Sequence, residues 1–423
     1  MLRPGNSNKA MACHDCGQLL VLPEMPDKTI ARCFRCNAKL FCNSPDSIDK
    51  TLALAFSALI LFAIANIYPF LAMRLKGFVQ ETNLITGIET LYHQGMPWIA
   101  LVVLITTLII PLFQIAGLIY ICLPMRFGYL PWKTAQVFRL ICNMQPWGMM
   151  EIYMLGILIS MVKLAKMATI IPGFASIAFM MLICVLAATF SGLNPEDIWK
   201  RLPVKEDRTM TNKSRNSTGR KIDSIPMGCH SCSLLCRIPI QDGHYKCPRC
   251  QASLHIRKTN SIHRTWALLI AAGILYFPAN IFPVTLTGAL GHEHADTILS
   301  GVIYFLFSGS WHIALIIFLA SIIVPVMKLI ILAYLLISVQ RQITWKPEDR
   351  TRLYRITEAV GRWSMVDIYV VTILVSLVQL GPLANITAGP GAVYFAGVVV
   401  ITMFAARSFD PRLIWDAMEE SNE

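Results

Sequence analysis

The chain has 423 residues, of which 55% are hydrophobic and only 15% charged, and it carries a formal net charge of +12. That balance is too apolar for an ordinary soluble domain and calls for several membrane spans. The positive charge is therefore read by its placement around a membrane, not as a nucleic-acid surface.

Residues 1–50 are polar and cysteine-bearing and lack the continuous apolar core of a signal peptide, so Met1 is expected to stay in the cytosol. They contain Cys13-His14-Asp15-Cys16 and Cys33-Phe34-Arg35-Cys36, two Cys-x-x-Cys pairs separated by 16 residues. Each pair sits on a tight turn, and the spacing is that of a zinc ribbon in which four thiolates converge on one tetrahedral ion. Disulfides are disfavoured on the reducing side of the membrane. Four thiolates close the coordination shell, which points to a structural ion. Iron in a rubredoxin-like site competes with zinc, because thiolates bind both.

Residues 51–199 form a first module with four apolar segments, near 51–73, 97–123, 149–164 and 172–193. The third is short for a span, which needs about 20 apolar residues, and must borrow from its flanks. Between the first two, Leu84, Ile85, Ile88 and Leu91 recur at helical spacing. They predict a short amphipathic helix at the outer interface or packed on the bundle. Pro69 and Pro111 interrupt the helical hydrogen-bond ladder, and Asn66 is read as satisfying carbonyls freed in this way.

Residues 200–228 are a basic, solvated linker. The chain then repeats itself. A second ribbon, residues 229–258, offers Cys229, Cys232, Cys247 and Cys250, and a second four-span module occupies 259–416 before an acidic tail at 417–423. Its apolar segments lie near 265–286, 312–338, 365–380 and 392–406, and Ile298, Val302, Phe305 and Leu306 repeat the amphipathic pattern. Ala65-Asn66-Ile67-Tyr68-Pro69 recurs as Ala279-Asn280-Ile281-Phe282-Pro283, Pro111 as Pro325, Trp147 as Trp363, and Glu151-Ile152-Tyr153 as Asp367-Ile368-Tyr369. The predicted fold class is an all-α polytopic membrane protein, two tandem copies of a four-helix transmembrane module, each preceded by a small cytosolic zinc ribbon. With both termini in the cytosol, 32 of the 37 basic residues fall inside, and only Arg74, Lys76, Lys163 and Lys166 lie outside.

The remaining lysine, Lys328, sits within the sixth apolar segment. A lysine there costs roughly 2.5 to 3.5 kcal/mol on insertion scales, so it needs a buried partner, and Asp367 is the candidate. Copy one has Gln114 and Glu151 at these positions, so only copy two carries both charges. The asymmetry suits a pair whose proton occupancy changes, with Ser321, Ser364 and Thr402 extending a hydrogen-bond path; a static ion pair is the alternative. Counted from Arg362 and Arg341, Asp367 lies about 8 Å and Lys328 about 20 Å into their helices. The pair then meets only if the sixth span projects into the cytosol or the lysine reaches downward.

The doubled Cys-His-x-Cys heads, the two Asn-x-x-Pro motifs and the Glu151-Ile152-Tyr153 and Asp367-Ile368-Tyr369 marks resemble the paraquat-inducible protein A family. The resemblance implies a component of the bacterial inner membrane that moves lipid between inner and outer membranes with a periplasmic MCE-domain tunnel protein. A passive anchor for the tunnel and an iron-thiolate membrane oxidoreductase are the competing readings. No Gly-x-x-x-x-Gly-Lys-Ser/Thr loop is present, so no nucleotide is expected, and no nucleophile, base and orienting acid come together as an enzyme site.

Overall fold

The computed structural model describes residues 9–22, 29–42, 47–75, 78–164, 169–204, 224–239, 245–255, 257–289, 292–307, 309, 311–378 and 385–420. Among them are eight helices long and apolar enough to cross a membrane: α1 (Ser47–Ile67), α2 (Pro97–Arg126), α3 (Thr134–Leu164), α4 (Phe174–Gly192), α5 (Ser261–Ile281), α6 (Ala314–Gln340), α7 (Pro347–Leu377) and α8 (Pro390–Ser408). Most of the basic linker lies outside the described residues.

Each copy departs from the sequence expectation at its third span. Helices α3 and α7 are both 31 residues long. Each opens with an amphipathic stretch, Thr134–Met144 or Pro347–Val360, and then tightens through a 3-10 turn, Gln145–Trp147 or Gly361–Met365. The short apolar segments do borrow from their flanks, and they borrow from the amino-terminal side. Arg362 consequently lies halfway along α7 and not at a helix end.

The second spans carry a different irregularity. In α2 a π-helical turn, Ile105–Ile109, precedes Pro111, and in α6 the turn Leu319–Ile323 precedes Pro325. Proline has no N–H to give the carbonyl four residues back, which belongs to Thr107 or Ser321. The wider turn re-routes the ladder there and leaves each helix a deformable joint. Asn66 and Asn280 behave as local caps, donating to the carbonyls of Phe62 and Tyr276 at 2.7 and 2.8 Å.

The first spans are shorter than their apolar runs. Pro69 and Pro283 end them, and the apolar residues that follow become strands. Leu71–Leu75 lies between Phe78–Thr82 and Thr169–Pro172, and Thr285–Ala289 between His292–Asp296 and Asn385–Ala388, all antiparallel. A glycine locks each sheet to the start of the fourth span. A Cβ on Gly173 would lie 2.2 Å from the Pro69 carbonyl oxygen, and one on Gly389 the same distance from that of Pro283. Because those obstacles are backbone, Gly389→Ala is expected to cost about 2 to 4 kcal/mol. A fall in the thermal midpoint of the detergent-purified protein checks it, and an unchanged midpoint contradicts the lock.

At the centre, α3 packs on α7. Gly156 lies against Tyr369, whose ring meets Tyr153 edge to face at 5.3 Å and whose hydroxyl donates to Thr106 Oγ1 at 2.9 Å. The amphipathic helix Leu84–His93 closes over the same place, with Gly87 giving Thr372 room. It is therefore packed on the bundle.

The ribbons are crossed between the copies. Around Cys13, Leu20 and Ala38 the first ribbon packs on Leu332, Leu335, Leu336, Tyr354, Phe409 and Trp415, all from copy two. Around Met227, Ile238 and Leu254 the second packs on Ile121, Met125, Phe138, Ile141 and Trp199, all from copy one. The ribbons also meet directly, with Gly228 against the Ala12 methyl.

Candidate functional site

The eight expected thiolates form two separate clusters: Cys13, Cys16, Cys33 and Cys36, and Cys229, Cys232, Cys247 and Cys250. All are buried, and within each cluster the sulfur atoms lie within 4.8 Å of one another. Individual separations are 3.5 and 3.6 Å in the first (Cys13–Cys36 and Cys16–Cys33) and 3.4 and 3.5 Å in the second (Cys229–Cys250 and Cys232–Cys247). A tetrahedral ion with metal–sulfur bonds of about 2.3 Å needs sulfurs roughly 3.8 Å apart, so the residues fit such an ion. The residue after each second cysteine is left-handed: Gly17 (φ 76°), Asn37 (φ 55°), Ser233 (φ 55°) and Gln251 (φ 57°). That turn brings both sulfurs of a pair to one side.

Copy two grips both clusters. Arg355 on α7 pairs with Asp15 and donates to Cys36 Sγ at 3.4 Å. Arg412, buried beyond α8, donates to the His14 carbonyl at 3.4 Å and lies 3.0 Å from His230 Nδ1. Burial and the Arg412 guanidinium push the His230 imidazole down to about 4, so the ring is neutral at pH 7 and accepts from the guanidinium. Neither histidine joins the thiolates. Cys236 approaches the Leu234 carbonyl and touches Cys247 without joining the four-sulfur group, and the side chain of Cys42 lies outside the described residues.

Within the membrane the expected Lys328–Asp367 ion pair is replaced by a longer arrangement. Lys328, only 3% exposed, donates to Thr402 Oγ1 on α8 at 3.1 Å, and Thr402 donates onward to the Val399 carbonyl at 3.0 Å. Its ammonium lies against Gly361, where an added methyl would approach Nζ to 2.8 Å. Asp367 stands six residues further along α7, a rise of about 9 Å, and so cannot reach the ammonium. Ser364 lies between them on the same face, and Ser321, from the π-helical turn of α6, sits beside Asp367. Ser364 Oγ is buried without a hydrogen-bond partner among the described residues, while Ser321 and Lys163 both interact with the Asp367 carboxylate. Two polar contacts, Lys328 with Thr402 and Ser321 with Asp367, with Ser364 between them along α7, make up a discontinuous polar stripe between α6, α7 and α8.

The far end of that stripe meets a cavity. Val366 and every residue from Ile368 to Leu377 are buried, and Asp367, half-buried, borders open space together with Val370, Val371 and Leu374. That space is a cavity of about 70 Å³ lined also by Lys163, Thr285 and Asp296. It has room for about two waters at their liquid volume. Lys163 and Asp296 were missed as site residues, the lysine because a cation at the end of an apolar run reads as a topology marker. In copy one, Gln114 is buried and Glu151 exposed, and they line a cavity of their own.

A family model described as paraquat-inducible protein A matches residues 48–203 and 262–419, one match for each copy. The chain is 33% identical over 414 residues to an intermembrane transport protein, PqiA, of Escherichia coli K12, covering 98% of this chain and 97% of the relative. It is 31% identical over 410 residues to lipophilic envelope-spanning tunnel protein A of the same organism, covering 97% and 92%. A probable intermembrane transport protein of Haemophilus influenzae is 31% identical over 418 residues, covering 96% of each chain. No solved structure matches. Two matches of one family model, one over each copy, and relatives aligned almost end to end lead to one assignment: the chain belongs to the paraquat-inducible protein A family.

Proposed function

We propose that this protein moves lipid between the inner and outer bacterial membranes and uses proton movement along the polar stripe of copy two to do so. The observation that carries the reading is the stripe itself. Lys328 contacts Thr402 and Ser321 contacts Asp367, with Ser364 between them along α7, in a chain with relatives named for intermembrane transport, which supports the reading. Both termini lie in the cytosol in this reading, so the cavity beside Asp367 opens toward the periplasm. A proton entering there binds the Asp367 carboxylate and turns an acceptor into a donor toward Ser321. Ser364 and intervening water carry it on to Lys328. When Lys328 changes charge, its hold on Thr402 changes, and α6, α7 and α8 repack about the π-helical joint of α6.

The partner is a periplasmic tunnel protein of MCE-domain type that receives or supplies the lipid. The two ions are zinc, held structurally by the eight cysteines. A static anchor would need no buried serine hydroxyl left without a partner, as that of Ser364 is, since such a group costs stability.

Reconstitution tests the reading. Fluorescent lipid is expected to pass from vesicles bearing the protein and its tunnel to acceptor vesicles, faster under a pH gradient, and a protonophore is expected to return the rate to background. A rate indifferent to both would sink the coupling.

A further inference from the structure

Copy one contains a cavity of about 360 Å³ that the proton stripe does not use, within the size range of small-ligand sites. Gln114, Gly148 and Glu151 line it, together with Arg362 from copy two and Leu186 and Phe190 on α4. Gln114 is 3% exposed, and its Nε2 is buried without a hydrogen-bond partner. Gly148 leaves the amide its place, since a Cβ there would lie 3.3 Å from Gln114 Oε1. Glu151 and Arg362 lie halfway along α3 and α7 and form no ion pair with each other among the described residues. Glu151 is exposed and Arg362 half-buried, so each presents its charge to the cavity, where a ligand can meet it. Copy two differs at this level: the Lys328 ammonium stands where copy one has the Gln114 amide, and it binds Thr402.

We propose that this cavity holds the head group of a phospholipid that carries both a phosphate and a primary ammonium. Arg362 and the Gln114 amide donate to the phosphate, Glu151 accepts from the ammonium, and Leu186 and Phe190 flank the first part of an acyl chain. A guanidinium and an amide match phosphate oxygens, and a carboxylate selects an ammonium over an uncharged glycerol head group. The assignment deepens the lipid-transport reading and rests on it, naming the lipid class and the place where it is held.

The full chain, in nanodiscs of equal phosphatidylethanolamine and phosphatidylglycerol, is extracted and its retained lipid measured by native mass spectrometry. Phosphatidylethanolamine is expected to be enriched roughly tenfold over phosphatidylglycerol, the effect of one charge-assisted contact. Glu151→Gln should erase the preference, and Gly148→Leu should reduce retention of both lipids. Short-chain phosphatidylethanolamine should raise the thermal midpoint of the unmodified chain more than short-chain phosphatidylglycerol does, which keeps the test independent of how the variants fold. Retention in the bulk ratio, equal midpoint shifts, or a preference that survives Glu151→Gln overturns the assignment. If preference is absent while proton-driven transfer persists, the cavity assignment alone falls. If preference is present while transfer is absent, the transport reading falls and the binding site stands.

Discussion

Lys328→Met is expected to abolish lipid transfer while leaving the protein in the membrane at its normal level. Methionine is unbranched and of similar length, so it fills the space against Gly361 and Thr402. Removing a charge from the membrane interior relieves an insertion cost of roughly 2.5 to 3.5 kcal/mol, so the variant should be no less stable than the parent. Loss of function then cannot be blamed on misfolding. Asp367→Asn should behave alike, because its amide keeps the shape of the carboxyl but cannot carry the proton. Lipid transfer in the reconstituted system, measured beside protein amount and thermal midpoint, decides the matter. Transfer by either variant at the parental rate would leave the stripe a structural feature.

Cys33→Ser should unravel the first ribbon and loosen the module of copy two rather than its own. Thiolate ligands give their metal an apparent binding free energy of about 10 to 16 kcal/mol, which in so small a domain is folding free energy. With that ribbon gone, Leu332, Leu335, Tyr354, Phe409 and Trp415 lose their cover, and Arg355 loses Asp15 and the Cys36 sulfur. Hydrogen exchange should rise at the ends of α6 and α7 that face the first ribbon and in the helix Leu413–Glu420, and stay low around Ile121 and Phe138. Cys247→Ser should do the reverse. The parent should bind two zinc ions per chain without the visible absorption of iron-thiolate centres, and each variant one. Increased exchange confined to the ribbon's own copy would contradict the crossed docking.

The crossing also ties the ribbons to the stripe. Arg355 reaches the first cluster from the same helix, α7, that carries Gly361, Ser364 and Asp367, and Arg412 touches both ribbons. Movement of α7 during transport would therefore be felt at the first cluster through the Arg355 contact.

Local chemistry made much of this legible in the residues alone. A Cys-x-x-Cys turn brings two sulfurs together whatever surrounds it, and a long apolar run must leave water, so both clusters, the two copies and the eight spans follow from spacing and composition. The same holds for a lysine inside such a run: its cost requires a polar partner, though nothing in the run says which. The outer strands were hidden because an apolar segment that continues past Pro69 or Pro283 has no period to mark where helix becomes sheet. What only tertiary structure decided was depth, rotation and pairing. Helix α7 begins at Pro347, Lys328 turns to Thr402, Asp367 lies beside Ser321 and Lys163, and each ribbon covers the opposite copy. These are set by how buried residues such as Tyr153, Tyr369 and Gly156 fit together between helices distant in the chain, and such packing leaves no trace in the order of residues along any one of them.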